Sequence, residues 1–136
     1  MKEKNEKNNF ITHRVALYNV AYVLSKESYN VEIDTSLSKY GNIAIHKNEK
    51  DIFVIVKSLS EFNEAIFSSN ELKSNFNYVV ICVKVYEKNI SYYKLDMQYV
   101  KDEAKPDPRE DRNKEYYLAK DKYTKFKVDS LSFNWN

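Results

Sequence analysis

The spacing of apolar positions changes character several times along the chain. From Phe10 to about Glu27, Leu17, Val20, Ala21 and Leu24 recur at intervals of three and four, and Ile11, Val15, Tyr18 and Tyr22 make a second flank. That period predicts a helix, and the two flanks predict that it is covered on more than one side. Asn9 is suited to cap its start, and Asn30, which tolerates the left-handed conformation, to stop it. Three runs of strand character follow: "NVEID" at 30–34, "NIAIH" at 42–46 and "DIFVIVK" at 51–57, the last two joined by the polar hairpin connection "KNEK". "SEFNEAIFSS" places Phe62, Ala65 and Ile66 on one helical face. "NYVVICVKVYE" at 77–87 is the strongest strand by β-branched content, and "ISYYKLDMQYV" at 90–100 is expected to pair back on it. From 101 to 114, Pro106 and Pro108 stand among dense charge, which predicts a loop. A short helix from about Asp111 to Lys120 and an irregular end in "SFNWN" complete the chain.

The order helix, three strands, helix, two strands predicts an α/β fold, a mixed central sheet of about five strands flanked by helices. Residues 1–9 are polar and without periodicity and read as a flexible tail, leaving 10–136 as a single domain. At 136 residues the chain is long enough to bury a substantial core.

Charge narrows the function classes only a little. With 22 basic against 20 acidic residues the formal net charge is +2, so no global field commits the chain to nucleic acid or to a membrane. No segment holds the roughly 20 apolar residues that span a bilayer, and the charged start carries no signal-peptide pattern. A lone cysteine, Cys82 inside "YVVICVKVY", builds no disulfide framework; it suits a reducing, cytoplasmic setting and reads as a buried small hydrophobe. Lys, Asn and Tyr are used heavily and glycine once, the usage of an AT-rich genome, so the tyrosines alone say little about stacking surfaces.

The third strand poses the sharper question. Its run from Ile52 to Val56 is apolar on both faces, yet it closes on Lys57. With the strand order, and with "HRVALYNVAYVLSKESYNVEID", "SKYGNIAIHKNEKDIFVIVKS" and "FNYVVICVKVYEKNISYYKLD", this lysine resembles the PD-(D/E)XK, or restriction endonuclease-like, nuclease superfamily over about residues 13–100. That resemblance implies a restriction endonuclease-like fold with a metal-binding hairpin. It also implies carboxylates where this chain carries Leu17, Ala44 and Ile55, with the lysine retained as Lys57. Mg²⁺ wants oxygen ligands in near-octahedral geometry, and three apolar side chains offer none. The expectation is therefore a pseudo-enzyme: no catalytic residues, no metal, no cofactor, and a domain kept as a binding module.

Competing readings attach to the remaining candidates. Lys57 is a phosphate-binding remnant or an exposed strand end whose stem snorkels. His46 is a relocated metal ligand or an isolated strand histidine, and His13 a helix-terminal polar residue. Asp34, Asp51 and Glu61 are migrated carboxylates, as an active nuclease with relocated acids would need, or solvated ends of elements. The aromatics of "SYYK" and "MQY", with Lys94 and Lys101, form a single-strand stacking platform or are half-buried sheet tyrosines. Partner-binding candidates are thus Lys57, His46, Lys94 and Lys101. The partner is a protein, a second copy included, or nucleic acid bound without cleavage. Interspersed acidic and basic residues favour a protein.

Overall fold

The computed structural model of the chain describes residues 2–34, 41–108, 115–131 and 135, and only the backbone of 2–10. Helix α1 (Lys2–Lys26) opens the chain. Strands β1 (Asn30–Asp34), β2 (Asn42–Lys47) and β3 (Lys50–Leu59) follow as an antiparallel meander. The β2–β3 hairpin closes through Asn48 at φ 56°, a left-handed position that Asn tolerates, with Lys47 paired to Lys50. Strand β4 (Ala65–Ser68) and helix α2 (Ser69–Lys73) form a crossover to β5 (Tyr78–Val83), which runs parallel to β3. Then come β6 (Ser91–Asp96), α3 (Met97–Glu103), β7 (Lys105–Pro106), β8 (Glu115–Leu118), α4 (Lys120–Tyr123), a 3-10 turn (Thr124–Phe126) and β9 (Lys127–Val128).

Among the described residues the strands make a six-stranded mixed sheet, ordered β1-β2-β3-β5-β6-β9, and a three-stranded sheet, β4-β8-β7. Alternation along β3 and β5 sends side chains into two separate cores. On one face α1 lays Ala16, Leu17, Val20 and Leu24 against Ile43, Ile45, Ile52, Val54, Val56, Val80 and Cys82. Burial of the Cys82 thiol pushes its pKa upward, so it behaves as a core hydrophobe. On the other face Ile55, Val79, Ile81, Tyr93 and Leu95 meet Ala65, Phe67 and Leu118 from the small sheet, with Met97, Val100 and Tyr123 from the short helices. The α/β class and the mixed sheet flanked by helices are as expected. The sheet has six strands where about five were expected.

Several local expectations are corrected. Helical backbone begins at Lys2, so Asn9 lies within α1 and does not cap it. The helix stops at Ser28, φ 72°, where Tyr29 N–H reaches the Leu24 carbonyl and Ser28 N–H the Ser25 carbonyl; Asn30 already belongs to β1. "SEFNEAIFSS" contains no helix before Ser69. Ala65 and Phe67 alternate into the core as β4, paired to β8, because so short an apolar run fits either period. The return strand ends at Asp96, and "MQYVKDE" coils as α3. Residues 115–118, expected as helix, form β8 between β4 and β7. Of the expected loop at 101–114, Lys101–Glu103 finish α3 and Lys105–Pro106 form β7; residues 109–114, which include the start of the expected helix, lie outside the described residues, as do 132–134 and 136 of the C-terminal end.

Candidate functional site

Strand β3 does not end at Lys57 but continues through Leu59, so the lysine is neither a strand end nor exposed. Its Nζ donates to Glu71 Oε1 at 2.8 Å, and the two side chains are 12% and 11% exposed. The same carboxylate oxygen accepts the Ser68 N–H at 2.9 Å, while Glu71 N–H donates to Ser68 Oγ at 3.1 Å, a capping box that starts α2. The ammonium also lies 5.1 Å from the Phe67 ring centroid. Lys57 thus locks the crossover helix onto the face of β3. With its charge paired to Glu71 and its stem buried, it is poorly placed to receive a phosphate.

The positions that the nuclease resemblance singles out are divided by the sheet. Ala44 pairs with Phe53 and Ile55 with Asn42, which puts Ala44, Ile55 and Lys57 on the face of the small sheet. Leu17 packs into the core of the opposite face. Of the remaining cations, Lys101 lies on the Lys57 side of the sheet and Lys94 on the other. Lys94 pairs with Val80 and projects on the α1 face, 4.7 Å from the Tyr78 ring centroid and 4.1 Å from that of Trp135. Burial pushes its pKa down to about 8, with Asp96 acting against that shift and Lys47 adding to it. Lys101, on α3, donates to the Ser74 carbonyl at 2.9 Å.

The aromatics of the expected stacking platform are likewise engaged. Tyr93 is buried in the second core, edge-on to Phe62 and Tyr123. Tyr92 accepts a hydrogen bond from the Asn19 amide, and Tyr99 donates to the Lys122 carbonyl at 2.7 Å and packs on Phe126. All three are packed, Tyr92 and Tyr99 with a satisfied polar end, and they form no open ladder of rings.

His46 does have carboxylate company, which sequence spacing did not show. Across β1, β2 and β3 its Nδ1 meets Asp51 Oδ1 at 2.7 Å and its Nε2 meets Glu32 Oε2 at 3.0 Å. The hydrogen bond to Asp51, then that to Glu32, raises its pKa. Both nitrogens face anions, so the arrangement favours a proton on each. Among the described residues no group of His, Cys, Asp and Glu is arranged to hold a metal ion. Asp34 and Asp51 sit four residues apart in register across the meander, about 13 Å along the strands, and Glu61 follows the far end of β3. The carboxylates considered for relocation are therefore not gathered into one site.

An open cleft of about 480 Å³ is lined by Phe62, Glu64, Asp107, Tyr117 and Lys120 among others, and contains none of these candidates.

The surface that stands out is the outward side of α1. Successive residues turn by 100°, so Ile11, Val15, Tyr18 and Tyr22, spaced four, three and four, share one side, roughly opposite Val20 and Leu24. Val15 is half-buried at the edge of the core, but Ile11, Tyr18 and Tyr22 are 50%, 56% and 61% exposed. The second flank is therefore uncovered, which corrects the expectation drawn from its periodicity. Tyr86, 64% exposed, joins it from the turn after β5, its hydroxyl 3.3 Å from Thr12 Oγ1. All four large apolar side chains that stand exposed among the described residues thus lie on this helix or hydrogen-bonded to it. A helix packed by one face ordinarily turns polar residues to water; this one is apolar on both. The signal was legible in the spacing, and what the sequence lacked was any indication that no described residue covers it.

No family model matches the chain, no curated protein matches it, and no solved structure matches it. Among the described residues no helix is long and apolar enough to cross a membrane.

Proposed function

We propose that this chain is a non-catalytic protein-binding module whose partner docks on the outward side of α1. One observation carries the reading: the exposed large apolar side chains are gathered along and beside a single helix, where isolated exposure would scatter them. From Ile11 to Tyr22 this side runs about 16 Å along the helix axis, enough for three turns of a facing segment. Tyrosine supplies large contact area with few rotatable bonds and a hydroxyl for the rim, which suits a binding surface.

The restriction endonuclease-like resemblance enters the proposal as ancestry only. Apolar Leu17, Ala44 and Ile55 supply no ligand oxygens, and Lys57 is paired to Glu71. Nucleic-acid binding draws less support, because Lys57 and Lys94 project from opposite sheet faces and Lys101 is bonded to backbone, so these three make no continuous basic track.

The test places a photoreactive phenylalanine at Tyr18 and, as a control, at exposed Lys50 in the β2–β3 hairpin, in the cells that make the chain. A discrete protein adduct from position 18 and not from position 50 is the expected outcome. Equal labelling from both positions, or none from position 18, would overturn the assignment of the docking face.

A further inference from the structure

Resting on that reading of α1, we infer that the occupant of its outward side is an amphipathic helical segment flanked by carboxylates, and not a second copy of this chain. Two observations lead there. The first is spacing: Ile11, Val15, Tyr18 and Tyr22 recur at four, three and four, the seam that a facing helix fills with its own side chains at the same intervals. The second is the sign of the rim. Between Asn8 and Lys26 the helix contains no acidic residue, and its cations there are half-buried Arg14 and exposed Lys26, with Glu27 just past the helix end. Lys26 is exposed, its Nζ 5.3 Å from the Tyr22 ring centroid, so a cation borders the aromatic end of the seam. The neighbouring turn that supplies Tyr86 carries Lys88 beside Glu87, both exposed, while the Lys84 ammonium lies over the Phe62 ring on the other face of the sheet.

A second copy would offer no carboxylate from Asn8 to Lys26 to answer the charge, and in a parallel pairing it would set Lys26 against Lys26. Like charges brought together at an interface oppose association and act as a specificity device. A segment with aliphatic side chains at three- and four-residue spacing and Glu or Asp beside them meets both the rings and the cations. Nucleic acid would use the cations but leave Ile11 and Val15 without complementary groups, and so sparse a set of charges releases few counterions.

The experiment measures binding of the full-length protein at low salt to three fluorescent probes. They are a helical peptide with leucines at three- and four-residue spacing and glutamates at the flanks, its isomer with lysines at the flanks, and oligo(dT). The glutamate peptide is expected to bind roughly tenfold tighter than the lysine isomer. The double variant Ser25→Glu/Lys26→Glu, both residues exposed and at the end of α1, is expected to invert that preference, and Tyr18→Ala/Tyr22→Ala to weaken both peptides, with unchanged circular dichroism in each case.

Equal binding of the two peptides overturns the acidic assignment and leaves the docking face standing. Binding of oligo(dT) alone, lost with the tyrosines, overturns it in favour of nucleic acid. Concentration-dependent dimerisation in sedimentation, abolished by Tyr18→Ala/Tyr22→Ala, overturns it in favour of a second copy. Failure of the glutamate peptide to bind while photo-adducts still form at position 18 overturns the inference alone. Failure of both overturns the docking reading as well.

Discussion

At Lys57 an ammonium is drawn into the protein, while along α1 the rings of Tyr18 and Tyr22 are left in water. The two regions depart from the usual partition in opposite directions, and among the described residues only one is resolved. Lys57 finds Glu71, Glu71 closes a capping box with Ser68, and the Phe67 ring lies beneath the charge. Each contact of the ammonium is internal, so the lysine that looked most like a relic of chemistry is held by the fold itself. The outward side of α1 has no such internal explanation among the described residues. A polar group buried and satisfied reports on folding, whereas apolar surface gathered and uncovered reports on something outside the chain.

The two sides of α1 give the largest contrast. Leu17, buried against Ile43 and Val54, should lose about 3–4 kcal/mol on substitution by Ala, because the cavity cannot fully collapse beneath a sheet. Tyr18→Ala, one residue along, should change unfolding free energy by no more than about 0.5 kcal/mol, since Ala is also the better helix former. Urea denaturation of the two variants decides the matter. A Tyr18→Ala loss close to that of Leu17→Ala would mean that the outward rings are core after all.

Lys57 supplies the next contrast. Lys57→Met leaves the Glu71 carboxylate nine-tenths buried without its cation, and should cost about 2–4 kcal/mol. Adding Glu71→Gln removes the orphaned charge while keeping an oxygen for the Ser68 N–H, and should restore roughly half of that loss. The coupling measured by this double-mutant cycle should persist in high salt, because buried pairs are poorly screened. If Lys57→Met is neutral, the ion pair is not what secures α2 to β3, and Lys57 would return as a candidate for an external ligand.

How much of this was legible follows from which physical signals a sequence carries locally. Leu17, Val20 and Leu24 announced the inward side of α1, and "KNEK" the hairpin with Asn48 at its left-handed corner. The central place of the third strand followed from a run apolar on both faces. What failed was short or depended on distant partners. "AIFS" reads as helix until β8 is known to lie beside it, and "EYYL" likewise until β4 and β7 flank it. Ser68 and Glu71 carried a readable helix start, three residues apart, which the longer pattern obscured. The ion pair of Lys57 spans fourteen residues of sequence and the crossover between parallel strands, so no local rule pointed to it. The carboxylates around His46 come from three strands whose register had to be known first.

That histidine gives the smallest effect and a third kind of polar contact, paired like Lys57 but open to water. Asp51 first, and Glu32 second, raise the His46 pKa through hydrogen bonds to its two ring nitrogens. The imidazolium can donate to both carboxylates, whereas the neutral ring can donate to one and must turn a lone pair towards the other. A folded-state pKa above the unfolded value of about 6.5 means that the native state holds its proton more tightly. Stability from this contact is therefore fully present below about pH 6.5 and is lost as pH rises through the raised folded value. Comparing His46→Gln with the parent protein by denaturation at about pH 6 and pH 9 should show the parent ahead at the lower pH and the two nearly equal at the higher. Added salt should shrink the gap at the lower pH, as it should not for Lys57, since exposed charges are screened. NMR titration of the His46 ring should place its midpoint above about 6.5. A midpoint below that value, or a gap that widens with pH, would mean that Glu32 and Asp51 do not hold the ring in solution. The meander would then owe its register to the apolar pairs of β1, β2 and β3 alone.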